Sequence, residues 1–160
     1  MEYELTPAYE RFDDIRTLFT EYTDALIAAD PAVRRYLTMQ HYEEERADPE
    51  KKYALPDGRL YLVTADGEAA GCVAMRKLDG ENCEMKRLFI RPRHRGARLG
   101  ERLVRRLIAD AREIGYRHLL LDTFPFLTTA IALYRRLGFV EIGRYNDCPM
   151  PDVLYMRLDL

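Results

Sequence analysis

Residues Glu84 to Leu107 read EMKRLFIRPRHRGARLGERLVRRL, and the fold turns on this stretch. It opens as an extended apolar run, Met85 to Ile90, and breaks at Pro92. A glycine-bearing turn follows from Gly96 to Gly100. The chain then enters a helix marked by Leu99, Leu103, Leu107 and Ala111, with Val104 and Ile108 beside them, a stripe of 3.6-residue period. A strand that feeds a glycine turn and then a helix presents unpaired backbone N–H groups to an anion. The first helical turn has orphan donors, and its dipole adds partial positive charge. Glycine lets the main chain come close to the ligand.

Upstream, Arg59–Thr64 and Ala70–Leu78 read as strands joined at Asp66-Gly67. A second turn at Asp79-Gly80 leads into the strand Glu81–Arg91, so these three strands predict an antiparallel meander. Downstream, the long helix ends near Ile114 at Gly115, a favourable C-terminal residue. Leu119-Leu120-Leu121 is a continuous apolar run, as in a strand buried on both faces. Strand, helix and strand in succession imply a parallel pair with a right-handed crossover. A last helix starts at Pro125 or Leu127 and stops at Leu137-Gly138, and Phe139–Tyr145 and Val153–Leu160 close the sheet.

The N-terminal part predicts a short strand at Glu2–Leu5 and helices over Tyr9–Ala29 and Ala32–Arg46. A loop follows from Asp48 to Gly58. The expectation is one mixed α/β domain over residues 1–160, its central mixed sheet flanked by about four helices.

The 160 residues are 48% hydrophobic and 32% charged, an ordinary globular composition. No apolar run approaches the roughly 20 residues of a membrane span. Met1-Glu2-Tyr3-Glu4 lacks the positive start of a signal peptide. Cys72, Cys83 and Cys148 have no metal-ligand spacing, and their odd number argues against a disulfide framework. A reducing cytoplasm and no metal are the expectation. Net charge is −2 but unevenly placed. Lys86 to Arg106 holds nine basic residues and one acid, and Met1 to Asp57 holds fourteen acids and seven basic residues. The basic segment suits phosphate groups.

The anion can be narrowed. A nucleoside-triphosphate loop needs Lys-Ser or Lys-Thr after its last glycine, where Glu101-Arg102 stands. The dinucleotide fingerprint needs three glycines, and two are present. The run Arg95-Gly96-Ala97-Arg98-Leu99-Gly100, preceded by Leu88-Phe89-Ile90-Arg91-Pro92, resembles the acyl-CoA loop of the GNAT superfamily of N-acetyltransferases. Arg98 stands where that family usually has glycine. Ala130 to Phe139, ending in Leu137-Gly138-Phe139, is similar to the family's later motif, in the right order and at a suitable separation.

The resemblance implies a fold in which the two parallel strands splay and the pantetheine arm of acetyl-CoA lies between them. It implies that Arg95, Gly96, Ala97, Arg98, Leu99, Gly100 and Glu101 hold the pyrophosphate. Leu88, Phe89 and Ile90 would pair main chain to main chain with pantetheine. Tyr134 would return a proton to the CoA sulfur. Leu127 occupies a position seven residues before this tyrosine where the family often has Asn.

Glu84 lies where the family often places a general base. Asp122, at the end of the parallel strand, is the rival, and a relayed water is a third route. His41, His94 and His118 read as structural or solvent-facing, Cys148 as a structural thiol, and Tyr145 and Asn146 as polar pocket groups.

The implied activity is acetyl transfer to a primary amine by direct attack. The acceptor is a small molecule or peptide, and the acidic N-terminal part fits a cationic amine. A non-catalytic acyl-CoA-binding module and a nucleic-acid-binding domain are the alternatives. The acidic N-terminal half, and a basic helix without aromatic residues, count against nucleic acid. No membrane partner is expected, and the sequence leaves a homodimer open.

Overall fold

The meander is present as β2 (Arg59–Ala65), β3 (Glu68–Lys77) and β4 (Asn82–Ile90) in the computed structural model of the chain, which describes residues 1–160. β1 (Tyr3–Pro7) adds to the free edge of β2. After the glycine turn come α5 (Leu99–Ile114) and β5 (His118–Thr123), then α6 (Thr128–Arg136), β6 (Val140–Ile142) and β7 (Leu154–Asp159). The seven strands form one sheet in the order β1-β2-β3-β4-β5-β7-β6. β4 and β5 are its one parallel pair, with antiparallel contacts everywhere else.

Six helices flank the sheet, rather than about four. The segment Ala32–Arg46 is not one helix. It divides into α2 (Val33–Met39) and α3 (Tyr42–Ala47), following α1 (Phe12–Ala29). His41 sits between them at φ 56°, a left-handed conformation that interrupts the hydrogen-bond ladder. Beyond the break, Tyr42 and Glu45 turn to the interior. The expected loop after Asp48 contains α4 (Pro49–Tyr53), with Pro49 in the first turn, where its missing N–H costs nothing.

Strand alternation sorts the core into two layers. Tyr61 and Val63 of β2 pack with Val73 and Met75 of β3 against Leu99, Leu103 and Leu107 of α5. Leu60 and Leu62 face the other way, against Ile15, Leu18 and Phe19 of α1 and Tyr53 of α4. The apolar stripe expected on α5 is therefore its buried face, and α1 to α4 cover the opposite side. Gly115 closes α5 at φ 107°, as its position predicts. No helix is long and apolar enough to cross a membrane.

Two irregularities in β4 prepare a site. Cys72 pairs with Phe89 and Ala74 with Lys86, so Arg87 and Leu88 together oppose one residue of β3. This is a bulge, with Arg87 at φ 61°. On its other edge β4 pairs with β5 over only three positions, Asn82–His118, Cys83–Leu119 and Glu84–Leu120. Beyond Glu84 the two strands part, and residues 85–90 have no strand partner on that edge.

Candidate active site

The backbone N–H groups of Gly96, Ala97, Arg98, Leu99, Gly100 and Glu101 donate to no protein acceptor; the α5 ladder starts with later residues, Arg102 bonding to the Arg98 carbonyl. A Cβ added at Gly96, which sits at φ 93°, would meet nothing within 4 Å, so the turn is open and not filled by side chains. Arg98, at φ 59°, takes the left-handed conformation directly before the helix. That explains why glycine suits the position, since a side chain there carries a steric penalty of roughly 1–2 kcal/mol. Arg95 and Arg98 are exposed at the turn, and the Arg95 Nε donates to the Ile90 carbonyl at 3.1 Å. Glu101 uses its carboxylate on Arg136 at 2.7 Å and on Arg105 at 3.4 Å, leaving its N–H free. His94 is not part of this surface. It is buried, edge-on to the Tyr3 ring, with Nδ1 at 3.3 Å from the Tyr3 hydroxyl.

From the turn, the gap between β4 and β5 leads inward. It narrows to a slot of about 30 Å³ lined by Met85, Lys86, Leu88, Asp122, Phe124 and Tyr134, among others. Leu88 and Ile90 are half-buried, and Phe89 is buried against Tyr22 on the sheet face covered by α1. Tyr134 enters from α6. Its ring packs against Phe139 at 5.7 Å, and its hydroxyl has no protein hydrogen-bond partner. Burial pushes its pKa well above the ordinary value, with the charge of Asp122 adding to the effect. The phenol therefore stays protonated near neutral pH. A donor at the wall of the slot without an acceptor in the protein is one available to a ligand.

Asp122 stands at the C-terminal end of β5, where the parallel strand opens. Both of its hydrogen bonds fall on Oδ2, from Tyr36 at 2.7 Å and Asn146 at 3.0 Å. Its Oδ1 faces the Lys86 Nζ at 3.9 Å.

On the far side of Lys86 and Tyr36 lies a second, wider cavity of about 510 Å³, large enough for a small-molecule acceptor. It is walled by α2, α3 and α4 and by the segment Asn146 to Pro149. Glu84 lies on its floor and is almost fully enclosed. Its Oε1 takes Arg76 at 2.8 Å and its Oε2 takes the Tyr145 hydroxyl at 2.6 Å. Burial alone would raise this carboxyl, but the charges of Lys86 and Arg76 and the hydrogen bonds from Tyr145 and Arg76 outweigh it. The pKa is brought down to about 2.

Arg87, at the bulge, is buried and reaches across to α3. It donates to both oxygens of Glu45, at 2.8 and 3.0 Å, and to Gln40 at 3.0 Å, with Tyr42 against its guanidinium. This ion pair ties the cavity wall to the strand beside the gap. Glu45 would be raised by burial, but Arg87 and Lys52 bring it down to about 2. Lys52 lies 2.6 Å from Glu45, yet burial, joined by the like charges of Lys86 and Arg87, still lowers it to about 8.

The structure thus brings Tyr134, Asp122, Leu88 and the glycine turn along one path, with Glu84 behind Lys86 on the cavity side. Asn146 lines the cavity, and Tyr145 reaches it through Glu84. Cys148 is buried and hydrogen-bonds locally with Asn146 and Met150. Sequence reasoning missed Lys86, Arg87, Arg76 and Lys52 as site residues. Lys86 and Arg87 read in the sequence as part of the basic, phosphate-facing segment, whereas both are buried toward the N-terminal helices. The available signal was two cations inside a central apolar strand, where an unpaired charge is seldom tolerated.

A model of the acetyltransferase (GNAT) family matches residues 13–139. An uncharacterized N-acetyltransferase of Schizosaccharomyces pombe is 42% identical over 127 residues, which span 78% of this chain and 77% of the relative. One from Dictyostelium discoideum is 30% identical, with both chains covered completely. Among solved structures, the PaiA N-acetyltransferase of Thermoplasma acidophilum in complex with coenzyme A has the same fold, at a TM-score of 0.75 and 14% identity over 100% of each chain.

Proposed function

The chain belongs to the GNAT family of acetyltransferases, and from that premise we propose that it transfers the acetyl group of acetyl-CoA to a primary amine by direct attack, with no acetylated enzyme. The observation that carries this reading is the run of six unpaired amides opening α5, joined to an unpaired strand edge that leads to a free phenol. In this scheme residues 1–160 act as one N-acetyltransferase domain.

Acetyl-CoA supplies an acyl group already activated as a thioester. The amides of Gly96 to Glu101 bind its diphosphate, where the helix dipole favours negative charge. Arg95, Arg98 and Arg102 add charge around them, and Arg136, positioned by Glu101, is a further cation beside the turn. The unpaired edge from Leu88 to Ile90 offers main-chain groups to the pantetheine arm. Tyr134 holds a proton at the inner end of the gap and gives it to the departing thiolate.

Asp122 is the better-placed base of the two acids. Its Oδ1 carries no hydrogen bond, and it borders the gap itself. Glu84, with both oxygens committed and a pKa of about 2, is a weak proton acceptor. We assign it a positioning role, holding Arg76, Lys86 and Tyr145. Three free cysteines, all buried, support a cytoplasmic setting.

Initial rates measured with acetyl-CoA and an amine varied against each other test the direct route. Intersecting double-reciprocal lines and no 42-Da adduct on the protein (roughly the mass an acetyl group adds) are expected for a single ternary complex. Parallel lines with an acetylated enzyme would overturn direct attack. Saturable CoA binding without thiol release to any amine would favour a non-catalytic module.

A further inference from the structure

The inner wall of the acceptor cavity, together with the groups packed directly behind it, holds four cations and three carboxylates. Lys52, Arg76, Lys86 and Arg87 stand against Glu45, Glu84 and Asp122. Lys52 and Arg87 share Glu45, Arg76 takes Glu84 at 2.8 Å, and Asp122 is taken by Tyr36 and Asn146. Lys86 is the one cation of the four that no carboxylate takes by a hydrogen bond. Its side chain is 4% exposed, yet its ammonium makes no hydrogen bond, with Glu84 at 3.7 Å and Asp122 at 3.9 Å. It borders both the gap and the wider cavity, at the point where the two meet. An ammonium has three donors and no way to satisfy them but acceptors, so one on an enclosed side chain that reaches the cavity with its donors open is available to a ligand. The rim is of opposite sign. Glu44, Asp48 and Asp147 line the mouth, with Lys51 as the one cation there.

We propose that the acceptor carries a carboxylate close to its amine, as in a free amino acid, and that Lys86 is the seat of that carboxylate. The deduction rests on the acetyl-transfer reading and deepens it. With the carboxylate on Lys86, the neighbouring amine lies beside Asp122 and the opening of the gap. The incoming ammonium passes a rim that attracts it, and the carboxylate meets the surplus charge on the inner wall. A plain polyamine has no acceptor to offer Lys86 and leaves its donors open. The cavity volume of about 510 Å³ suits a molecule of amino-acid size.

The test uses matched acceptors that differ in the carboxylate alone. Amino acids, their carboxamides and the corresponding decarboxylated amines are compared in thiol-release assays with acetyl-CoA. Lys86→Met and Lys86→Arg are measured beside the native chain, with melting temperature and CoA affinity as controls of folding. The expected result is a kcat/KM at least 100-fold higher for amino acids than for their amides. That ratio collapses toward one in Lys86→Met and is largely restored in Lys86→Arg. Amides or amines that equal the amino acids, or a ratio that survives Lys86→Met, would overturn the carboxylate seat and leave acetyl transfer standing.

Thermal shift with N-acetyl amino acids in the presence of CoA separates the two readings. Stabilisation that needs Lys86, without turnover of any amine, supports the seat and sinks the transfer reading. Neither turnover nor stabilisation removes both.

Discussion

Replacing Glu45 by Gln tests how the wall of the wider cavity is held against β4. The Glu45 side chain is 2% exposed and is the counter-ion of both Arg87 and Lys52. Its pKa falls from an ordinary 4.5 to about 2. At roughly 1.4 kcal/mol per tenfold, that displacement corresponds to about 3 kcal/mol of folding free energy at neutral pH. Breaking a buried ion pair from one side costs a similar amount, roughly 3–5 kcal/mol, because the remaining charge is stranded. For a chain of this length 1 kcal/mol moves the melting temperature by about 2–4 °C, so Glu45→Gln should lower it by about 6–12 °C at pH 7. The sign with pH follows from the depressed pKa. The contribution of Glu45 is complete above about pH 4.5 and is lost as the pH falls toward 2. The gap between native and variant proteins should therefore close in that window. Glu84, also brought to about 2, keeps the variant acid-sensitive. Melting curves from pH 2.5 to 8 provide the assay. A variant within 2 °C of the native chain at pH 7, or a difference that stays constant down to pH 2.5, would refute the reasoning.

Tyr134→Phe should lower kcat by about 100-fold or more while leaving the KM for acetyl-CoA within about twofold, as the proposed role of the hydroxyl as proton source requires. Steady-state kinetics at pH 7 decides this, and full turnover would remove the acid role. Gly96→Val places a β-branched residue at φ 93° in the open turn. It should weaken CoA binding at least tenfold by calorimetry, and an unchanged Kd would contradict the assigned grip. Arg98→Gly removes a left-handed penalty of roughly 1–2 kcal/mol and adds about 0.5–1 kcal/mol of chain entropy cost. The melting temperature should rise by about 1–3 °C, while CoA affinity falls at low salt with the lost charge. A lower melting temperature would show that Arg98 makes a stabilising contact.

The strongest sequence signals were long and local. The α5 stripe, the Asp-Gly turns of the meander and the Leu137-Gly138-Phe139 ending each place an element where the structure has one. The parallel pairing of β4 with β5 followed from the crossover rule alone. Short helices left weaker traces. α3 and α4 have 6 and 5 residues, too few for a periodic stripe, and the break at His41 lies in a run that reads as helical throughout. The site suffered from a different limit. Glu45 and Arg87 are 42 residues apart in sequence, and nothing local announces that they meet. In the sequence, Met85–Ile90 reads as a strand through its apolar residues. Its informative members were Lys86 and Arg87, whose burial depends on helices folded from the N-terminal part of the chain. The role of Glu84 depends in the same way on Arg76 and Tyr145, which reach it from another strand and a distant loop.

The central claim is that the main-chain amides opening α5 grip the diphosphate of the acyl donor. Titrating CoA into the ¹⁵N-labelled protein and following its amide resonances measures this directly. The account predicts that Gly96 to Glu101 move together, saturably, and by more than the exposed amides of α1. Saturable binding that leaves those six resonances in place, or no binding at all, would contradict it.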